Sequence, residues 1–252
     1  TMMLAESVND INEGPFAGIQ FTDKEMYELK IAAWLHDCGK VATPEAVVDK
    51  GTKLETIYDR IHTVATRFEV LKRDEEIKFL KKQLKIQKDN SFSKKEKKDA
   101  LNKARSLYLK RIKQQVDDKA FIEESNVGGE FMSKDRKDRV KKIASYRWRD
   151  NGSPKPFFTE DEVYNLCISR GTLTPEERKI INDHIVVTID MLEQLPYPKH
   201  LRNVPEFAGG HHEKLDGTGY PKGLNHSEMS VQAKIMAIAD IFEALTARDR
   251  PY

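Results

Sequence analysis

The stretch "GGHHEKLDGTGYPKGL", Gly209 to Leu224, sets two adjacent histidines ahead of a loop that holds Asp216, Gly217, Gly219, the Tyr220-Pro221 pair and Gly223. Glycine lets backbone approach a ligand closely, because no Cβ stands in the way. Imidazoles beside such a loop are candidate metal ligands, and the rest of the chain offers companions for them. Upstream, "AAWLHDCGKVATPE" closes an apolar helical run with His36 and Asp37, and Lys40 follows three residues on. "IINDHIVVTIDML" sets His184 in an amphipathic run. "IMAIADIFEAL" places Asp240 among apolar residues, where a carboxylate without a cation or donors is costly.

Taken singly, each of these residues has an ordinary explanation. A lone helical histidine such as His184 is usually a structural one, an His-Asp pair is commonplace, and Asp240 alone would serve as a cap for a neighbouring helix. Together, in one chain, they point to a metal site. Imidazole and carboxylate suit Fe, Mn, Zn or Ni, and a carboxylate can bridge two ions where an imidazole cannot. Adjacent helical side chains diverge by about 100°. His36 with Asp37, and His211 with His212, are therefore expected to serve neighbouring ions, or one ion and a substrate group, and not to chelate one ion side by side. Two ions roughly 3.5–4 Å apart clamp the oxygens of a phosphodiester during in-line attack.

Outward from these motifs the chain reads as helical. Apolar residues recur at three- and four-residue steps over Met2–Val8, Glu25–Leu35, Thr56–Ile86, Ala100–Ala120, Val140–Arg147, Glu160–Ile168, Pro175–Leu195 and Gln232–Ala247. Thr22 or Asp23 can cap the second run, and Thr174 with Pro175 opens the seventh. No alternating strand pattern of useful length appears. The expected fold is all-α.

At 252 residues and 38% hydrophobic content, the chain can bury a proper core. No apolar run is long enough to cross a membrane and no secretory leader opens the chain. Cys38 and Cys167 have no disulfide or zinc spacing, so a cytoplasmic location is expected. The net charge of +2 hides an uneven distribution. Lys72 to Lys119 carries 17 Lys/Arg against 8 Asp/Glu. The apolar stripe Val64, Phe68, Leu71, Ile77, Leu80, Leu84 on one arm and Leu101, Ala104, Tyr108, Ile112, Val116 on the other suggest an antiparallel helical hairpin, interrupted by "KDNSFSKKE". A charge run of this kind is first a solvated helical face. Its functional alternatives are homodimerisation or docking of a regulatory protein; few aromatics argue against nucleic acid.

"HDCGK", "HHEKLDGTGYPKGL" and "DIFEALTARDRPY" resemble the HD-GYP subgroup of the HD-domain metal-dependent phosphohydrolases, proteins that hydrolyse cyclic dinucleotides, chiefly cyclic di-GMP. The resemblance covers about residues 24–50 and 165–252, and its GYP stretch is the specific part. It implies an HD-domain helical bundle in two pieces, residues 1–54 and 159–252, with residues 55–158 as a basic helical insert and connector. It makes His36, Asp37, His184, His211, His212 and Asp240 metal ligands, with Asp37 bridging two divalent ions, Fe or Mn, with Mg, Ni or Zn as alternatives. Asp37 and Lys40 are then catalytic. Lys40, Tyr220 and Arg250 contact the substrate.

The implied activity is hydrolysis of cyclic di-GMP to the linear dinucleotide and on to GMP. Cyclic GMP-AMP or another nucleotide is the alternative substrate, and a non-catalytic nucleotide sensor that signals to a partner is the alternative role. His62 rivals His184 as third ligand, because it follows the His-Asp pair at the closer spacing. "GTLTPEERKIINDH" favours His184. No histidine precedes His36 to join Glu6 at a third metal. The chain opens mid-helix and stops at "RPY", so a fragment of a longer protein is expected.

Overall fold

The computed structural model describes every residue except Pro15 and Arg248–Tyr252. The expected substrate contact Arg250 therefore lies outside the described residues. Helices dominate: α1 (Met2–Asn9), α2 (Asp23–Leu35), α3 (Glu45–Val48), α4 (Ile61–Lys88), α5 (Lys94–Val127) and α6 (Lys134–Ala144) precede a short strand pair, β1 (Arg147–Asp150) and β2 (Ser153–Pro156). Then come α7 (Glu160–Leu166), α8 (Pro175–Asn182), α9 (His184–Glu193), α10 (Val204–Gly209) and α11 (Val231–Thr246). The all-α reading holds. The one addition is the hairpin β1–β2, whose turn residues Asn151 and Gly152 both have positive φ. Asn-Gly is the signature of such a two-residue turn.

The chain divides into two compact units. Among the described residues, Thr1–Asp49 and residues 175–247 form the first, while Lys50–Thr174 forms the second. These boundaries differ from the expected ones: residues 159–174 pack with the second unit, as do residues 50–54.

In the first unit, Leu29 and Ala32 of α2, Leu192 of α9, Phe207 and Ala208 of α10 and Ile235 and Met236 of α11 bury one apolar core with Ala5. Each large side chain removed from water contributes about 1.5–3 kcal/mol. The second helix begins as its sequence implies, with Thr22 and Glu25 closing a capping box. Glu28, 4% exposed, accepts from Asn203 N at 2.7 Å and Asn203 Nδ2 at 3.2 Å, so a buried carboxylate holds the start of α10 against α2. The run Pro175–Leu195, expected as one helix, divides at Asp183. His184 becomes the first residue of α9.

The second unit is more than a hairpin. Leu54, Val64, Phe68, Leu71, Phe121, Ile122, Met132, Val140, Ile143, Phe157, Phe158 and Leu166 form a core of its own. Arms α4 and α5 lie side by side, with Phe79 stacked on Tyr108 at 4.9 Å between ring centroids. The single apolar stripe expected on α4 is two stripes. Val64, Phe68 and Leu71 are buried, whereas Ile77, Leu80 and Leu84 are 48%, 47% and 54% exposed. The reason is rotation: six residues from Leu71 to Ile77 turn the helix through about 240° at about 100° per residue, off the face that meets α5. On α5 Val116 is likewise 52% exposed.

Lys53 is 1% exposed and donates to Ile168 O at 2.9 Å and Leu166 O at 3.4 Å, at the end of α7. Burial lowers its ammonium to about 8. Among the described residues no helix is long and apolar enough to cross a membrane.

Candidate metal centre

Each histidine reaches the site from the end of a helix. His36 is the residue after α2, His184 opens α9, and His211 and His212 follow α10. At His36, His184 and His211 the same device repeats. Nδ1 donates to the carbonyl three residues earlier: Ala33 O at 2.7 Å, Ile181 O, and Ala208 O at 2.6 Å. A carbonyl only accepts, so Nδ1 carries the proton and Nε2 keeps its lone pair. That is the tautomer a metal ligand requires.

The lone pairs converge. Asp37 Oδ1 lies 3.1 Å from His184 Nε2 and 3.9 Å from His211 Nε2, while Oδ2 lies 3.5 Å from His36 Nε2 and 2.5 Å from Lys40 Nζ. One carboxylate thus turns an oxygen to each histidine group. Ligand atoms of His184, His211 and His212 lie within 4.8 Å of one another, and so do those of His36, Asp37 and His211. Asp240 Oδ1 is 3.8 Å from His36 Nε2, outside both trios. All six expected ligands are brought together. The pairs do not split as helical geometry implied, because His36–Asp37 and His211–His212 sit past helix ends. There the turning backbone lets neighbouring side chains converge; the rings of His211 and His212 are 4.1 Å apart.

Asp37 Oδ1, His184 Nε2 and His211 Nε2 are buried without a hydrogen-bond partner. The Asp37–His184 approach is close but lacks a hydrogen bond's alignment. An unmet buried polar atom costs about 1–3 kcal/mol, and three facing one another are what a divalent cation would satisfy. The electrostatics agree. Burial keeps the His211 imidazole below its ordinary value, and burial together with the adjacent imidazoles lowers His212 to about 4, so both are neutral ligands at neutral pH. Burial would raise the Asp37 carboxyl, but His184 and Lys40 beside it outweigh that effect and hold it well below the usual range. Asp240 beside it raises His36 against the opposing effect of burial, and Asp240 is lowered in return. The residues present fit a metal.

Backbone contacts fix these ligands to one another. A Cβ on Gly39 would stand 2.1 Å from His184 O and 2.6 Å from Thr188 N, so the turn after Asp37 lies directly on α9. Gly39 N donates to Thr188 Oγ1 at 2.9 Å, and Thr188 is fully buried. In the Gly-rich loop, buried Glu213 accepts from Lys222 N at 2.7 Å and Leu224 N at 2.9 Å. A Cβ on Gly219 would lie 2.3 Å from Lys214 N. The loop so held lays Tyr220 over His212, centroids 4.9 Å apart and planes 20° from parallel, with the Tyr220 hydroxyl donating to Asn182 Oδ1 at 3.2 Å.

Gly39, Thr188, Glu213 and Asn182 were not singled out from the sequence. Thr188 had a signal, since it lies four residues after His184 and hence on its face of the helix. Lys40, expected at a phosphate, is paired with Asp37 here. His62 is exposed on α4 and in the other unit. A cavity of about 380 Å³ opens beside His36, Asp37 and Asp240, with Met236, Ala239 and Glu243 in its wall.

A family model described as HD domain matches residues 158–252. That span holds His184, His211, His212, Tyr220 and Asp240; His36 and Asp37 join it through the geometry above. The chain is 43% identical over 91 residues, 36% of its length and 19% of the relative's, to a protein of Vibrio cholerae serotype O1 named 3'3'-cGAMP-specific phosphodiesterase 3. It is 39% identical over 87 residues, 34% of its length and 23% of the relative's, to a cyclic di-GMP phosphodiesterase of Thermotoga maritima. With the cyclic di-GMP phosphodiesterase response regulator RpfG of Xanthomonas campestris the identity is 32% over 88 residues, 35% of this chain and 23% of the relative. The matched segments thus span about a fifth of the length of these relatives. No solved structure matches the chain. The ends of α2, α9 and α10 and the middle of α11 bring the candidate ligands together, and the chain is similar to an HD domain over residues 158–252 and, over about a third of its length, to proteins named cyclic dinucleotide phosphodiesterases.

Proposed function

We propose that the chain is a metal-dependent phosphodiesterase that hydrolyses a cyclic dinucleotide, cyclic di-GMP first among them, to its linear form and then to GMP. The observation that carries the reading is the set of buried, unpartnered Nε2 and Oδ1 atoms of His184, His211 and Asp37, with His36, His212 and Asp240 around them. His36, Asp37, His184, His211, His212 and Asp240 would hold two divalent ions, Fe or Mn in preference to Mg, Ni or Zn. When bound, such ions activate water and draw charge from a phosphodiester.

The chain's own residues supply the rest. Asp37, with one oxygen toward His36 and the other toward His184 and His211, would link the two sets of ligands around such ions. The proton on each Nδ1 is spoken for by a backbone carbonyl, so the three rings stay oriented with Nε2 inward. Lys40, 35% exposed at the edge of the site, exchanges its Asp37 partner for a substrate phosphate and steadies its developing charge. Tyr220 has its hydroxyl above the ordinary value through burial, which keeps it a hydrogen-bond donor. Tyr220 and Arg250 contact base or phosphate.

A second reading, cyclic GMP-AMP as substrate, is favoured by the name of the 43% identical relative. The deciding experiment is anaerobic purification, metal analysis and an assay of cyclic di-GMP against cyclic GMP-AMP with Mn or Fe. Close to two ions per chain and hydrolysis of one of the two are expected. His184→Ala should abolish hydrolysis and lower metal content, whereas His62→Ala should leave both near wild type. No metal after reconstitution overturns the proposal.

A further inference from the structure

The outer face of α4 carries a feature that the metal centre does not use. Val70, Ile77, Leu80 and Leu84 are spaced seven, three and four residues apart, and the alternating steps of three and four extend through Arg73 and Gln87. This is the a/d spacing of a coiled-coil seam: Val70, Ile77 and Leu84 at a, Arg73, Leu80 and Gln87 at d. The seam is separate from the face buried against α5 and the core, which is built from Val64, Phe68, Leu71, Phe79 and Ile86. Ile77, Leu80 and Leu84 are about half exposed, and large apolar groups in such a register are rarely left to water without a partner.

The charges beside the seam say which partner fits. Positions g are Glu69, Glu76 and Gln83, and positions e are Asp74, Lys81 and Lys88. In a parallel, in-register pair each g faces the e five residues on in the other helix. Glu76 of one copy then meets Lys81 of the other, twice by symmetry, and Gln83 meets Lys88. The unfavourable pairing, Glu69 with Asp74, also occurs twice, but it is softened because Glu69 is already engaged by Lys72 at 2.7 Å and Lys119 at 3.9 Å. Neither Glu76 nor Lys81 forms an ion pair within the chain among the described residues. The excess positive charge of α4 sits at Lys72, Lys78, Lys82 and Lys85, in positions b, c and f away from the seam.

We infer that the outer seam of α4 is a self-association surface through which two copies of this chain form a parallel dimer, with Ile77, Leu80 and Leu84 in its core and Glu76–Lys81 pairs at its flanks. The seam spans about two and a half heptads, and Arg73 and Gln87 put polar groups at two of its six core positions, so the dimer is reversible.

Sedimentation equilibrium on the 252-residue chain tests this. Wild type should pass from monomer to dimer with rising concentration. The exposed pair Leu80→Lys with Leu84→Lys should stay monomeric while its circular dichroism and thermal melt match wild type. Glu76→Lys and Lys81→Glu should each weaken dimerisation roughly tenfold, as attraction turns to repulsion in two pairs, and combining them should restore it. Three results overturn the inference: a wild type that is monomeric at every concentration, as an acidic helix from another protein as the true occupant would give; a dimer indifferent to the Leu80 and Leu84 changes; or single swaps that the combined swap fails to rescue.

Discussion

Thr188 carries the residue-scale argument for how the site is held. Its hydroxyl accepts from Gly39 N in a fully buried position, and so couples the turn carrying Asp37 to the helix carrying His184. Thr188→Val keeps the shape and orphans the Gly39 N–H, a cost of about 1–3 kcal/mol. Metal affinity should fall with stability, and Thr188→Ser should recover both; titration with Mn followed by thermal melts reads the two together. Gly39→Ala should be worse, because its Cβ meets backbone atoms and not the flexible end of a side chain.

Lys53 gives a pH prediction. Its folded value is about 8, below the ordinary 10.5. Below pH 8 both folded and unfolded chains hold the proton. Between pH 8 and 10.5 the unfolded chain holds it while the folded chain has shed it, so stability rises with pH across that window, by up to about 3 kcal/mol. Urea denaturation at pH 7.5 and pH 10 should show the rise in wild type and a flatter profile in Lys53→Met. A wild-type profile as flat as the variant's removes the buried charge from the account. Histidines, aspartates and the Gly-rich stretch were legible in the sequence because chemistry-bearing residue types stand out against apolar runs. Thr188, Glu213 and Lys53 were not, since their work is done through hydrogen bonds to backbone that only the fold brings near.

At the scale of elements, periodicity located the helices and misjudged their faces. The hairpin of α4 and α5 was legible from two helical patterns around a polar break. Its coverage was not, because a list of apolar positions does not say when the 3.6-residue period has carried them past the contact. Leu71 and Ile77 belong to different stripes for that reason alone. The strand pair β1–β2 has its signal in Asn151-Gly152, but strands of four residues are too short to show an alternating pattern. The split of α8 from α9 had no comparable sequence signal. It matters because it puts His184 at a helix start, with Nδ1 free to engage Ile181 O.

The core of the second unit suggests how far the hairpin can be shortened. Phe68, Leu71, Phe121 and Ile122 lie at its base, as does Asp118, which accepts from Tyr146 Oη at 2.7 Å and Arg139 Nη2 at 2.9 Å. Replacing Arg73–Gln115 by a short linker spares all of these and removes the seam. The shortened chain should fold, keep its metal content and lose self-association. Loss of metal on that deletion would mean that the hairpin contributes to the site.

At the scale of the whole molecule, the six proposed ligand residues between His36 and Asp240 are separated in sequence by Lys50–Thr174, a segment that supplies none of them. The ligands and their supports, Gly39, Thr188 and Glu213, all belong to the first unit, and each unit has its own apolar core. Two cores make two transitions possible, and a single unfolding free energy is then not defined for the chain. A metal that binds only the folded first unit stabilises it by mass action, about 2.7 kcal/mol when free metal is a hundredfold above its dissociation constant. The stabilisation has a local source: without a cation the buried Nε2 atoms of His184 and His211 and the Oδ1 of Asp37 face one another unpaired. Chelation should therefore lower the Tm of one calorimetric transition by several degrees and leave the other in place. Asp37→Asn should make that transition insensitive to chelator, while Lys53→Met should move only the other. If chelation shifts both transitions equally, the two units unfold as one, and the separation of metal centre from insert is wrong.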